Sequence, residues 1–329
     1  MGSSEFFLGR RSAAFAYAIE DVVYGTENTA STFAWPGYVE QFIAGDEQVF
    51  ADLTPMDGTD TRNVAEYFPQ VPNISGTLRT KLQHGRMLAV LGLGADTVTG
   101  SYTHTVDFVS TLPSFSFQAG HLHSSAPFGK LYTGAMVKKW ELNMPKGEFV
   151  TLNYDLVMQK VVKDSTFKAY QASVDTLKKY TSTQMNNYRS SQATITINNV
   201  DISAVSSGAR LSCDNNLLIE SVLDKDIGDF ISEPIPQIPE IEAGLTVKMK
   251  DDDLWDLWQA GATVPNCSYA LTRGADSITF DFTGTKISRA NEPIDIGQGV
   301  VIQDLVLKIP TLTMTEVNTL VTDYDTVCA

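Results

Sequence analysis

His121 and His123 have the spacing most open to chemistry in this chain. On a strand, two residues apart, both rings would share one face and could begin a metal site. No third ligand stands nearby, and Gly120 with Ser124 and Ser125 marks the stretch as a loop. His84 and His104 stand alone. Asp251-Asp252-Asp253 carries the carboxylates of a hard-cation site, but it opens a Leu/Trp-rich helical pattern where capping and the helix dipole already favour acids. Leu91-Gly-Leu-Gly-Ala-Asp96 has two glycines of a phosphate loop. It follows an apolar helical stretch rather than a strand, and lacks the third Gly and the P-loop Lys.

Cys213, Cys267 and Cys328 are odd in number and far apart, which fits neither a disulfide framework nor a zinc knuckle and points to a reducing compartment. There is no G-x-S-x-G, no H-E-x-x-H and no cysteine with a matching His and Asn arrangement. The sequons at Asn73 and Asn266 matter only in a secreted protein. Carboxylates are abundant but scattered, so no acid/base pair can be chosen. The expected catalytic, cofactor-binding and metal residues are therefore none, and the chain reads as a non-enzyme.

The elements that would position any site come from the pattern of the whole chain. It has 329 residues, of which 43% are hydrophobic and 19% charged, an ordinary globular composition with room for two units. Its 24 Lys and Arg against 39 Asp and Glu give a net charge of −15, which disfavours tight binding to a phosphate backbone. No apolar run approaches the ~20 residues of a membrane span. Arg10-Arg11 precedes only a short apolar stretch, Ser12 to Ile19, too short for a twin-arginine signal. Met1-Gly2 is a poor myristoylation start, because position 6 is Phe6.

An internal repeat organises the chain. Phe68-Pro-Gln-Val-Pro-Asn-Ile74 aligns with Ile235-Pro-Gln-Ile-Pro-Glu-Ile241 at an offset of about 167, and the match runs on through Leu78/Leu245, Gly94/Gly261 and Tyr102/Tyr269. The offset then shifts to about 165, pairing Phe115 and Phe117 with Phe280 and Phe282, and Leu142 and Pro145 with Leu307 and Pro310. Each copy reads as a Pro-bounded strand (Asn73 to Leu82, Glu240 to Met249), a short helix (Gly85 to Leu91, Asp251 to Ala260) and further alternating strands. Ala193 to Ile197 adds a strand turning at Asn198-Asn199. The predicted fold is mainly β: duplicated sandwich or barrel units, each with one short flanking α-helix. The predicted organisation is an N-terminal arm and long loop (1–66), a first β-barrel unit (67–160), a connector (161–191) with a short helix at Gln171 to Tyr180, and a second unit (192–329).

Several segments in this order resemble the major tail tube proteins of long-tailed phages and related viruses. They are Ala18-Ile-Glu-Asp-Val-Val-Tyr-Gly-Thr26, Ile74-Ser-Gly-Thr-Leu78, Gly100-Ser-Tyr-Thr-His-Thr105, Leu112-Pro-Ser-Phe-Ser116 and Tyr132-Thr-Gly-Ala135. Ala193 to Asn199 and Ser212-Cys-Asp-Asn-Asn-Leu217 look like the later strands of the same family. The resemblance implies a virion tail protein, assembled in the host cytoplasm, that stacks as rings into a hollow tube through which DNA passes. Its sheets would join around the ring, its partners would be itself, tape-measure and tail-terminator proteins, and two copies per chain would give trimeric rings with pseudo-sixfold symmetry. The acidic balance implies a net-acidic channel wall, and segments 22–66 and 161–191 are expected to make contacts between subunits. The competing class is a carbohydrate-binding or adhesin module of a virion surface. It would need exposed aromatics, and of Trp35, Trp140, Trp255 and Trp258 the last two sit at amphipathic spacing on the predicted helix, as core.

Overall fold

Regular apolar alternation becomes strand almost throughout the chain. A computed structural model describes residues 13–20, 23–27, 33–47, 50–53, 66–69, 73–94, 96–98, 102–108, 111–121, 128–164, 180–181, 184–185, 187–224, 228–248, 253–291, 302–318, 320 and 324. The first strands are β1 (Ala13–Ile19), β2 (Tyr38–Glu47), β3 (Phe50–Leu53), β4 (Glu66–Pro69), β5 (Asn73–Lys81), β6 (Asp96–Val98) and β7 (Thr103–Asp107). Then come β8 (Phe115–His121), β9 (Phe128–Pro145), β10 (Thr151–Met158), β11 (Lys160–Asp164) and the two-residue β12 (Tyr180–Thr181) and β13 (Gln184–Met185). The second half has β14 (Ala193–Ile197), β15 (Val200–Asp201), β16 (Ser206–Asp214), β17 (Ser221–Asp224), β18 (Gly228–Ile231) and β19 (Glu240–Lys248). After helix α1 (Asp253–Gln259) follow β20 (Cys267–Arg273), β21 (Asp276–Thr283), β22 (Lys286–Asn291), β23 (Ile302–Lys308) and β24 (Thr311–Val317).

Two antiparallel sheets carry the core. The larger runs β2-β5-β10-β9-β16-β19-β23-β22, with β8, β1 and β11 joined at the far end of the long strand β9. The smaller runs β15-β14-β20-β21-β24-β7-β6. Between them lie fully buried Trp140, Tyr154, Leu211, Tyr269, Phe280 and Met314. The Asn198-Asn199 turn forms as the sequence predicts, both residues at positive φ (54° and 65°), which is the geometry a two-residue hairpin needs.

The larger sheet repeats one four-strand pattern. In chain order the strands of β2-β5-β10-β9 are first, second, fourth, third, and so are those of β16-β19-β23-β22. The registers repeat as well. The ladder between β2 and β5 has its irregularity between Val39 and Gln41, and that between β16 and β19 has one between Ser206 and Gly208, against partners that correspond (Thr80 and Arg79, Val247 and Thr246). A second bulge interrupts β9 against β10 at Asp155/Leu156, and its counterpart interrupts β22 against β23 between Ile287 and Arg289. Bulges are specific features of a strand pair, so their recurrence at equivalent registers is stronger evidence than the strand order alone.

The registers also correct the later part of the sequence alignment. Phe115 and Phe117 lie in the larger sheet, Phe280 and Phe282 in the smaller. Tyr102 is exposed in a bend before β7, whereas Tyr269 is fully buried within β20. β9 corresponds to β22, not to β23 as the Pro-terminated strands implied. Alternation records which face a residue takes and is silent about which strand it pairs with. The segment 1–66, read from the sequence as an arm and long loop, contains β2, the counterpart of β16. The outlying ladder β3–β4 follows β2 much as the ladder β17–β18 follows β16. The predicted helix at 171–180 lies outside the described residues, apart from Tyr180 at the start of β12.

The two helices differ. α1 is the predicted α-helix, acidic at its start, and none of its residues is buried. Its counterpart, Leu88–Leu93, is a π-helical turn with every residue buried, closed by the Gly94 N–H donating to the Ala89 carbonyl five residues back at 2.8 Å. Packing against the Trp140 indole shapes this turn. Trp140 Nε1 donates to the Gly92 carbonyl at 3.3 Å, and a Cβ on Gly92 would sit 3.1 Å from the indole.

Candidate assembly surface and its clasps

Both ends of the larger sheet are open among the described residues. Among the described residues β2 pairs only with β5, and β22 only with β23 apart from a single bridge between Thr263 and Lys286. α1 packs on β22, so its half-covered Leu254, Trp255, Leu257 and Trp258 lie at the same edge. The expectation that Trp255 and Trp258 are core is therefore corrected: the rings touch each other at 4.7 Å and reach the core only with one side.

The face of the sheet turned away from the core is polar, and its charge is banded. One row reads Thr77, Asp155, Lys139, Asp214, Glu240 across neighbouring strands. The next reads Arg79, Asn153, Glu141, Ser212, Glu242, Lys308. The third reads Lys81, Thr151, Asn143, Arg210, Gly244, Val306, Arg289 and holds only basic charges. Opposite charges on adjacent strands stabilise a sheet, and Lys308 bridges Glu240 and Glu242 in this way. The net acidity of the chain is not concentrated on this face.

Apolar side chains are exposed where β17–β18 leaves the sheet: Leu218 bridges Ile235, both about half exposed, and Ile238 is 87% exposed. Ile238→Ser should change the unfolding free energy by less than about 0.5 kcal/mol, since it removes no buried contact. Chemical denaturation of the variant checks this, and a loss above ~1 kcal/mol would show hidden packing.

Glu20 ties the N-terminal strand into the fold. Its carboxylate is 7% exposed and accepts four hydrogen bonds: Gly25 N–H (2.8 Å), Ser114 Oγ (2.7 Å), Ser116 Oγ (2.8 Å) and Gly134 N–H (2.7 Å). Gly134 has φ +63°, a left-handed backbone that aims its N–H at the carboxylate, and a Cβ there would collide with Gln159. Three of the segments that carried the resemblance, around Glu20, Ser114–Ser116 and Gly134, thus meet at one carboxylate. A family model described as phage tail tube protein matches residues 10–309.

The chain belongs to the phage tail tube protein family.

A search of curated proteins finds no match for it. In this tail tube protein a second clasp holds the C-terminal residues. His104, fully buried, has Nδ1 2.7 Å from Asp96 Oδ2 and Nε2 3.1 Å from the Leu320 carbonyl. The Tyr324 ring stacks on it at 3.9 Å, nearly parallel. The Tyr324 N–H donates to Asp96 Oδ2 at 2.9 Å and its hydroxyl to Glu316 Oε2 at 2.6 Å, and Glu316 also accepts the Gly85 N–H. A His–Asp pair invites a catalytic reading, but this one is sealed from solvent and consumed by structural partners. Burial opposes the charge on His104, yet Asp96, the Leu320 carbonyl and Glu316 outweigh it and raise its pKa.

The remaining sequence candidates do not converge. His84 is buried edge-on to Trp35, His121 closes β8, and His123 with Asp251 and Asp252 lies outside the described residues. Among the described residues no group of three His, Cys, Asp or Glu side chains is placed to hold a metal. Gly92 and Gly94 serve the π turn and Asp96 serves His104, so the glycine pair has a packing role. Cys213 and Cys267 are free, buried thiols whose burial raises their pKa, and Cys328 lies outside the described residues. Asn266 takes positive φ in a turn and donates to Asn199. Among the described residues no helix is long and apolar enough to cross a membrane. Sequence reasoning missed Glu20 and the Asp96–Glu316–Tyr324 set as functional groups. Glu20 leaves a faint mark, a single acid ending the apolar run from Ala13, but its donors are up to 114 residues away.

Proposed function

We propose that this chain is a structural subunit that assembles into stacked rings forming the hollow tail tube, with DNA passing through the lumen and no catalytic turnover. The observation that supports this is the doubled four-strand sheet with an open edge at each end. Edges like these are normally blunted in a monomer, and ring closure satisfies them. The two tube units are the sheet halves, joined through 161–191, with the first unit beginning at β2 inside the segment 1–66. The outlying ladders and the connector make the contacts between subunits or rings.

Three chains per ring agree with the dimensions. Each chain brings eight strands along the sheet path. With strands ~4.8 Å apart and tilted ~40°, three chains close a barrel about 45–50 Å across. That leaves a lumen of roughly 35–40 Å once a side-chain layer is subtracted on each side, ample for a DNA duplex. The polar face forms the channel wall in this reading. Its three rows hold six basic and five acidic side chains, so it is not the net-acidic wall expected, and the all-basic row lies beside a row that carries acids. The protein acts in the virion tail after assembly in the host cytoplasm, with tape-measure and tail-terminator proteins as its other partners. An adhesin reading gains nothing here, because Trp35 and Trp140 are buried and Trp255 and Trp258 lie at the sheet edge.

Negative-stain electron microscopy of concentrated protein should show hollow tubes, and symmetry-free averaging of end views should show three chains per ring. Protein that stays monomeric at all concentrations would refute the assembly, and six chains per ring would refute the stoichiometry.

A further inference from the structure

The junction between the two sheet halves is a template for the junction between subunits. Within the chain, β9 of the first half pairs antiparallel with β16 of the second, placing Lys139 opposite Asp214, Trp140 opposite Cys213 and Glu141 opposite Ser212. The counterpart of β9 is β22, and the counterpart of β16 is β2. These are the two open edges of the same sheet.

The bulges fix the register. β2 and β16 align through their irregularities at Val39/Gln41 and Ser206/Gly208, which carries Asp214 onto Glu47, Cys213 onto Asp46 and Ser212 onto Gly45. β9 and β22 align through theirs, which carries Lys139 onto Arg289, Trp140 onto Ala290 and Glu141 onto Asn291. We propose that β22 of one subunit pairs antiparallel with β2 of a second copy of this chain, with Arg289 opposite Glu47, Ala290 opposite Asp46 and Asn291 opposite Gly45. This rests on the tube reading and names its interface.

Two observations support the pairing independently of the topology. The internal junction sets a basic residue, Lys139, against an acidic one, Asp214. The matched positions on the open edges hold Arg289 and Glu47, the same signs in the same order. Opposite charges directly across a strand pair stabilise the register, and like charges there oppose it. The half-covered Leu and Trp face of α1 lies on β22, so the arriving subunit has apolar surface to bury beside the new ladder. A head-to-tail contact of two different edges propagates around a ring and leaves no edge open when the ring closes.

Arg289→Glu, Glu47→Arg and the double exchange test this, read as the amount of tube that sediments and as particles in negative stain. Wild-type protein should form tubes, each single variant should lose them while keeping the wild-type circular dichroism and melting temperature, and the double exchange should restore them. Single variants that assemble like wild type, or a double exchange that does not recover, would overturn the pairing while the tube stands. Wild-type protein that forms no tubes would overturn the tube reading itself, and the pairing with it.

Discussion

Glu20→Ala should lower the stability of the chain by several kcal/mol, since each buried donor left without its acceptor costs about 1–3 kcal/mol. The carboxylate accepts from Gly25, Ser114, Ser116 and Gly134, and alanine leaves all four donors without it. Two of the four are backbone N–H groups that cannot turn towards another acceptor. Gln should not rescue the site, because its NH₂ would face donors where an oxygen is needed. Among the described residues β1 pairs only with β8, apart from a bridge from Tyr17 to Ala34, so it should be the first strand released. Urea unfolding measures the loss, and limited proteolysis should show cleavage near residue 20. A cost below ~1 kcal/mol would mean that the donors re-pair and that Glu20 is not the tie.

The second large effect is expected at His104, and it depends on pH. Both ring nitrogens face acceptors, the Asp96 carboxylate and the Leu320 carbonyl, so a proton on each satisfies both contacts and favours the charged form. Its folded pKa is raised. A raised pKa contributes stability that is complete below the unfolded value, about 6.5, and is lost as pH rises through the folded value. Glu316 is also shifted upward, by burial that outweighs its hydrogen bonds from Tyr324, Gly85 and Asn318 and the charge of His104. It acts in the same direction, with its loss beginning from the ordinary carboxylate range. Both groups therefore predict a melting temperature that falls as pH rises, with the His104 share appearing above about pH 6.5. His104→Leu should cost about 3 kcal/mol at pH 6, where it strands Asp96, and should flatten the slope above that pH. An unchanged slope in the variant would show that the titration lies elsewhere. Loss of the clasp should also free the C-terminal residues around Leu320 and Tyr324, visible as faster hydrogen exchange there.

The amino-acid sequence by itself determined the mainly-β class, the correspondence of the Pro-bounded strands β5 and β19 and the place of both helical segments. Those features are written locally: alternation in Leu245-Thr-Val-Lys-Met249, acids before Leu254 and Trp255, glycines after each helix, and the Asn198-Asn199 turn. It also pointed to the tube family, because the segments that resemble it are turn and packing residues kept in order. Only the tertiary structure decided which strands correspond. The Pro-ended strands Lys139–Met144 and Leu305–Ile309 are alike in one dimension, but the first belongs with β22 and the second with β10, and pairing partners distant in sequence leave no local trace. The same reason hid Glu20 and His104. A carboxylate or imidazole is ordinary in sequence, and becomes a clasp only when donors or acceptors from remote strands arrive around it. The different fates of the two helices follow from the same distinction. The sequence predicts a short helix at each place, yet Leu88–Leu93 is enclosed between sheets while Asp253–Gln259 is left half covered at an open edge, because burial depends on what the rest of the chain, or a second copy of it, brings alongside.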